Sequence, residues 1–168
     1  MWDLTKEIVA SGIKTEEFIL QDQQVEKIGS TLSKCIRKRF NRALNIRMVD
    51  AGSCNSCELE IQAIGNPYYN LEQFGIQFVA SPRHADMLMV TGPVTKNMID
   101  ALKKTFDAMP NPKLVIAIGD CAYCGGIFKE SYAVIGAVSN VIPVNAVVKG
   151  CPPTPIDILS GILIAING

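Results

Sequence analysis

Net charge is the first thing this sequence lacks: 16 basic and 16 acidic residues cancel over 168 positions. A zero balance gives the whole molecule no general attraction for nucleic acid. Charge of either sign is also sparse, at 19% of residues against 48% apolar. That ratio excludes a disordered chain and fits one well-buried core, in a length too short for two. Long apolar runs are missing as well. The longest strongly apolar stretch, Ile158 to Ile166, falls far short of the ~18 residues of a spanning helix. The first residues, Met1 to Glu7, have neither the basic start nor the apolar block of a secretion signal, and no Arg-Arg pair occurs. No internal repeat or low-complexity segment is visible. These absences lead to the expectation of a cytoplasmic chain, docked on a membrane only through a partner.

Cysteine is what the sequence has. There are 6, and in a reducing compartment they read as metal ligands rather than disulfides. Cys54 and Cys57 stand in Gly52-Ser53-Cys54-Asn55-Ser56-Cys57-Glu58, after an apolar run and before a helical pattern. That spacing lets two thiolates of one loop grip one metal centre. Further ligands must come from elsewhere.

Taken in order, residues 1–22 are mixed, a short helix and an arm whose apolar content suits docking on another chain. Residues 23–42 read as an amphipathic helix, with Val25, Ile28, Leu32, Ile36 and Phe40 on one stripe. Lys34, Lys38 and Arg42 form a row on another face, either solvated or meeting an acidic partner or anionic headgroups. Cys35 on this helix reads as a plain thiol. Residues 1–44 are thus expected to be an N-terminal helical arm for partner docking, and residues 45–168 the main domain. In the latter, strands are expected at Ile46–Val49, Gly75–Ala80, Met87–Val90 and Lys113–Gly119, and within Val141–Val148. Helices are expected at Cys57–Ile64, Thr95–Met109 and Ile156–Ile166. Tyr68, Tyr69 and Phe74 read as core or interface aromatics. Alternating strands and helices predict an α/β domain with a flavodoxin-like, open, mostly parallel sheet covered on both faces.

Ligands of such sheets bind beyond the carboxyl ends of the strands. Cys54 and Cys57 follow the first expected strand, Cys121 and Cys124 the fourth, and Cys151 the fifth. Three centres fit from chemistry alone. An iron–sulfur cluster suits thiolate ligands and glycine-rich loops that bring backbone N–H groups to sulfide. A helix starting near Cys57 would aim its positive end at the cluster's negative charge. Structural zinc is a second possibility, although zinc modules set their pairs ~12–20 residues apart. Unconnected buried thiols are the third. A flavin fits the sheet but not the loop after the first strand, which holds cysteines instead of a phosphate loop.

The cluster loop resembles that of the small subunits of energy-converting, membrane-bound nickel–iron hydrogenases, such as those of formate hydrogenlyase complexes. Ser81-Pro82-Arg83-His84-Ala85-Asp86, Val90 to Thr95, and Gly150-Cys151-Pro152-Pro153-Thr154-Pro155 are similar to that family too. The likeness runs through residues 45–168 and extends to the homologous cluster-bearing subunit of respiratory complex I. That relative usually has adjacent cysteines at the first motif, whereas two residues separate them here. The resemblance implies one 4Fe–4S cluster on Cys54, Cys57, Cys121 and Cys151, with Cys124 extra to the Gly119-Asp120-Cys121 motif. It implies a hetero-oligomer with a large subunit that carries the nickel–iron centre, a ferredoxin-like iron–sulfur subunit and membrane-arm subunits, and no nucleic acid. The chain would relay electrons between them at the cytoplasmic face of the membrane, with no catalytic site of its own. A complex I-like subunit feeding quinone or another acceptor, and a structural zinc interaction domain, are the alternatives. Glu58 is expected either to compensate the helix N-terminus or to take up a proton as the cluster is reduced. Arg83 and His84 are expected to line a sheet end or to face the cluster or the large subunit.

Overall fold

The computed structural model describes residues 5, 6, 10 and 23–168. The arm expected over 1–22 lies outside the described residues except at those three positions. Helix α1 spans Gln23–Phe40 and buries Val25, Leu32 and Ile36 of its apolar stripe. These residues share one core with the sheet. Gly29 permits the close approach: a Cβ there would fall 2.1 Å from the Phe74 ring.

The expected basic row is broken. Asn41, at φ 54, ends the helix at Phe40, so Arg42 leaves its face. Arg42 instead grips Asp86 with two hydrogen bonds, 2.9 and 2.6 Å, while Asn45 N–H donates to the same carboxylate at 3.1 Å. Lys34 and Lys38 remain exposed on α1. Arg39 donates to the Ile166 carbonyl at the end of the last helix, where a cation complements the negative helix terminus.

The strands are β1 (Leu44–Asp50), β2 (Ile76–Phe78), β3 (Met87–Thr91), β4 (Val94–Thr95), β5 (Leu114–Ile118), β6 (Val134–Gly136) and β7 (Ala146–Val148). The remaining helices are α2 (Ser56–Ile64), α3 (Ile99–Ala108), α4 (Gly119–Cys124) and α5 (Pro155–Asn167). Five strands form one sheet in the order β2-β1-β3-β5-β7, with every pairing parallel. This is the flavodoxin-like order, whose switch point lies between β1 and β3. β4 and β6 make a small antiparallel pair.

Apolar side chains alternate between two cores. Met87, Met89, Leu114 and Ile116 face α1, α2 and α5. Leu88, Val90, Val115 and Ala117 face α3 and α4. Both faces of β3 and β5 are buried throughout, as a parallel sheet covered on both sides requires.

The largest departures from the sequence reading lie in the connections. β2 stops at Phe78 because the chain turns away at Ser81-Pro82, although Val79 N–H still donates to the Ile46 carbonyl. Thr95 belongs to β4 rather than to a helix, and α3 starts only after a short 3-10 turn at Lys96–Met98. The glycine- and cysteine-rich loop after β5 contains the short helix α4. β7 has three residues, and ahead of it the Asn145 side chain accepts from Val115 N–H at 2.8 Å.

Asp86 is 7% exposed, so Arg42→Ala leaves a nearly buried carboxylate with one donor. Because Arg42 itself is half exposed, the expected cost is about 1–2 kcal/mol. It should appear as a lower urea midpoint at unchanged slope. An unaltered midpoint would mean that the pair contributes nothing.

Candidate metal centre

β1, β3, β5 and β7 run parallel, so their carboxyl ends share one edge of the sheet. The loop after β1 is shaped by its own polar groups. Asp50 Oδ1 accepts from the Gly52 and Ser53 N–H groups, both at 2.7 Å, and Ser53 Oγ accepts from Asn55 N–H at 3.1 Å. Gly92, after β3, presses against this loop so closely that a Cβ there would lie 2.6 Å from Ser53 N. Asn55, at φ 71, then starts α2 with no side-chain cap. The first N–H groups of α2 are therefore not taken by a capping side chain, and they lie beside Cys57.

Cys57 is 8% exposed, Cys121 is half-buried, and Cys54, Cys124 and Cys151 are exposed. Burial pushes the Cys57 thiol up to about 12, aided by the charges of Glu58, Cys121, Cys54 and Cys151. Cys121 is also raised, first by burial and then by the charges of Cys151 and Cys54. Cys54 is lowered, chiefly by hydrogen bonding to the Ser56 side chain, 3.4 Å from its sulfur, and to the Ser56 backbone. Three separate loops thus bring Cys54, Cys57, Cys121 and Cys151 within mutual electrostatic reach. Cys124 stands apart from most of them. Its thiol donates to the Asp120 carbonyl at 3.3 Å, and of the other cysteines its charge is felt at Cys121.

Two glycines make room at the sulfurs. A Cβ at Gly119 would lie 2.7 Å from Cys57 Sγ, and one at Gly126 would lie 2.7 Å from Cys121 Sγ. Both glycines also have positive φ, at 88° and 53°. Among the described residues, no three His, Cys, Asp or Glu side chains converge tightly enough to hold one metal ion. A cluster of several irons accepts thiolates spread around its body. Soft thiolate donors with glycine backbone pressed against two of the sulfurs are a set that suits an iron–sulfur cluster.

Glu58 lies in the first turn of α2, is 4% exposed, and has no hydrogen-bond partner at either carboxylate oxygen. Its charge acts on both Cys57 and Cys54. Arg83 and His84 are exposed on the turn that leads into the start of β3, and the structure does not bring them to the strand ends that carry the cysteines. A cleft of about 360 Å³ lies against β1 between α2 and the end of β2, lined by Arg47, Met48, Ile61 and Phe78 among others, with no cysteine.

One residue escaped the sequence reading. Asp120 Oδ1 accepts from Gly150 N–H at 2.9 Å, linking the Cys121 and Cys151 loops. Its only sequence signal is an Asp directly after a strand-end glycine, a position suited to local side-chain-to-backbone bonding. Ile127 and Tyr132, 83% and 89% exposed, follow α4 in the chain.

The two extreme thiols predict an order of reactivity in the iron-free chain. Only thiolate reacts, so iodoacetamide at pH 8 should label Cys54 first and Cys57 last. Raising the pH should level off Cys54 labelling early, while Cys57 labelling keeps rising toward its pKa of about 12. Peptide mapping by mass spectrometry reads this. Equal rates at the two sites would contradict the environments described.

Comparison with known proteins gives the same topology a lineage. The family of the NADH ubiquinone oxidoreductase 20 Kd subunit matches residues 54–165. The probable membrane-bound hydrogenase subunit mbhJ of Pyrococcus furiosus is 47% identical over 119 residues, 71% of each chain. Formate hydrogenlyase subunit 7 of Escherichia coli is 39% identical over 143 residues, 85% of this chain and 56% of that protein. In a solved structure of the membrane-bound sulfane sulfur reductase, an archaeal respiratory membrane complex, one chain is 32% identical with a TM-score of 0.67, covering 82% of this chain and 74% of that one. The cysteine-bearing edge thus stands on a chain that belongs to the NADH ubiquinone oxidoreductase 20 Kd subunit family, together with subunits of hydrogenase complexes.

Proposed function

We propose that this chain is the electron-transfer subunit of a membrane-bound nickel–iron hydrogenase complex, holding one 4Fe–4S cluster on Cys54, Cys57, Cys121 and Cys151. The observation that carries this is the convergence of those four thiols from three strand-end loops, each within the electrostatic field of others. When bound, the cluster supplies a carrier for one electron at a time. The chain's own residues do the rest. Crowded thiols that repel one another's charge are relieved when positive iron binds them. The uncapped start of α2 sets N–H groups and the positive end of the helix beside Cys57. Gly119 and Gly126 leave space at two sulfurs that any side chain would fill. Cys124 is left outside the set as a hydrogen-bonded thiol.

The partners follow from the same edge. Three exposed cysteines at this edge need a protein cover to keep water from the cluster. A large subunit bearing the nickel–iron centre would supply it, with a ferredoxin-like subunit and membrane-arm subunits completing the assembly. Residues 1–44 are assigned to docking on those partners, and the exposed Arg83 and His84 are available to them. Among the described residues no helix is long and apolar enough to cross a membrane, so attachment at the cytoplasmic face would be peripheral and through partners. A second reading, delivery of electrons to quinone or a sulfur acceptor, is favoured by the likeness to the sulfane sulfur reductase chain.

Anaerobic purification of the intact complex, with metal analysis and a hydrogen assay, separates the two. The hydrogenase reading expects nickel as well as iron in the complex, and hydrogen evolution from a reduced donor. Iron without nickel in an active complex would establish the second reading instead.

A further inference from the structure

Asp120 and Gly150 immediately precede two of the proposed ligands, Cys121 and Cys151, and they are bonded to each other twice. β5 and β7 pair in the register Ile116↔Ala146 and Ile118↔Val148. One step further along, Asp120 N–H donates to the Gly150 carbonyl at 2.9 Å, and Gly150 N–H donates to Asp120 Oδ1 at 2.9 Å. The chain has by then left β5 for α4, turning at Gly119 with φ 88. A side-chain oxygen therefore supplies the acceptor beyond the end of the strand, and the ladder continues by one rung.

A cation–π contact also joins the loop after β7 to α4, with Lys149 Nζ 5.1 Å from the centre of the Tyr123 ring. Gly150, at φ 135, folds back so tightly that a Cβ would lie 2.6 Å from Pro153 Cα. That fold gives the loop its own shape but does not set its position against Cys121. Asp120 sets it. The carboxylate also lies beside the site, and its charge acts on Cys121. Reduction of a cluster adds one negative charge, which a neighbouring carboxylate opposes.

We propose that Asp120 is a positioning residue that holds the Cys121 and Cys151 loops at the spacing a bound cluster needs, and that its charge keeps the reduction potential low. This rests on the reading of the cysteines as cluster ligands. Two substitutions divide its roles. Asp120→Asn keeps an oxygen acceptor for Gly150 N–H and removes the charge. Asp120→Ala removes both.

The test uses the full chain in its anaerobically purified complex, with iron content, iron loss to a chelator and a redox titration followed by electron paramagnetic resonance. Asp120→Ala should lose iron about tenfold faster than the unaltered protein, as supporting residues of metal sites typically do. Asp120→Asn should restore the slow rate, which separates positioning from a general folding defect. Asp120→Asn should also shift the reduction equilibrium about tenfold toward the reduced form, ~59 mV for one electron. An Asp120→Ala protein that keeps its iron as well as the unaltered one overturns the positioning role, and an unshifted Asp120→Asn potential overturns the charge role. If the unaltered chain itself binds no four-iron cluster, the failure lies with the proposed function and takes this assignment with it. If the unaltered chain is loaded normally and both variants match it, the failure is that of Asp120 alone.

Discussion

Everything at the cysteine-bearing edge depends on parallel register. β1, β3, β5 and β7 each end at one side of the sheet, so loops far apart in sequence meet there without any long connection. The register is held at both ends of the β5–β7 pair by polar side chains rather than by the short strand alone. Asn145 bonds to Val115 ahead of β7, and Asp120 bonds to Gly150 beyond it. At the opposite end of the sheet, Asp86 joins Asn45 and Arg42 and ties the turn before β3 to the segment after α1. Three polar side chains, Asp86 buried, Asp120 half-buried and Asn145 exposed, thus stitch the ends of the sheet.

The convergence that register produces has an electrostatic consequence. Burial and neighbouring charge make Cys57 and Cys121 resist losing their protons, Cys57 most, whereas Cys54 is eased by its hydrogen bond to Ser56. Glu58 adds a buried carboxylate without a hydrogen-bond partner to the same region. Such an arrangement is uncomfortable without positive charge in it, because buried like charges repel strongly where water is scarce. The glycines and the uncapped helix start reduce that discomfort from the backbone side. Loop conformation and charge therefore point toward the same kind of occupant.

Much of this was legible in the sequence, for physical reasons. Alternating apolar strands and helical stripes announced a sheet covered on both faces, since burial on both sides leaves no polar period to confuse. The placing of Cys54, Cys57, Cys121 and Cys151 after strands followed from the same pattern. Less legible were features that depend on side chains meeting across the fold. Arg42 continued a helical charge row in the sequence, but Asn41 ends the helix and Asp86, 44 residues away, captures it. The helix at Gly119–Cys124 was hidden because a glycine start and two cysteines carry weak helical preference. Asp120 gave no periodic signal at all, because its role is set by a partner 30 residues later.

The central claim is the ligand set, and the sharpest test lies between Cys121 and Cys124, three residues apart on one short helix. Iron retained by the purified complex would be measured for Cys121→Ser and Cys124→Ser side by side. The account predicts that Cys121→Ser loses the cluster and Cys124→Ser keeps it. Loss of the cluster in Cys124→Ser with retention in Cys121→Ser would contradict it.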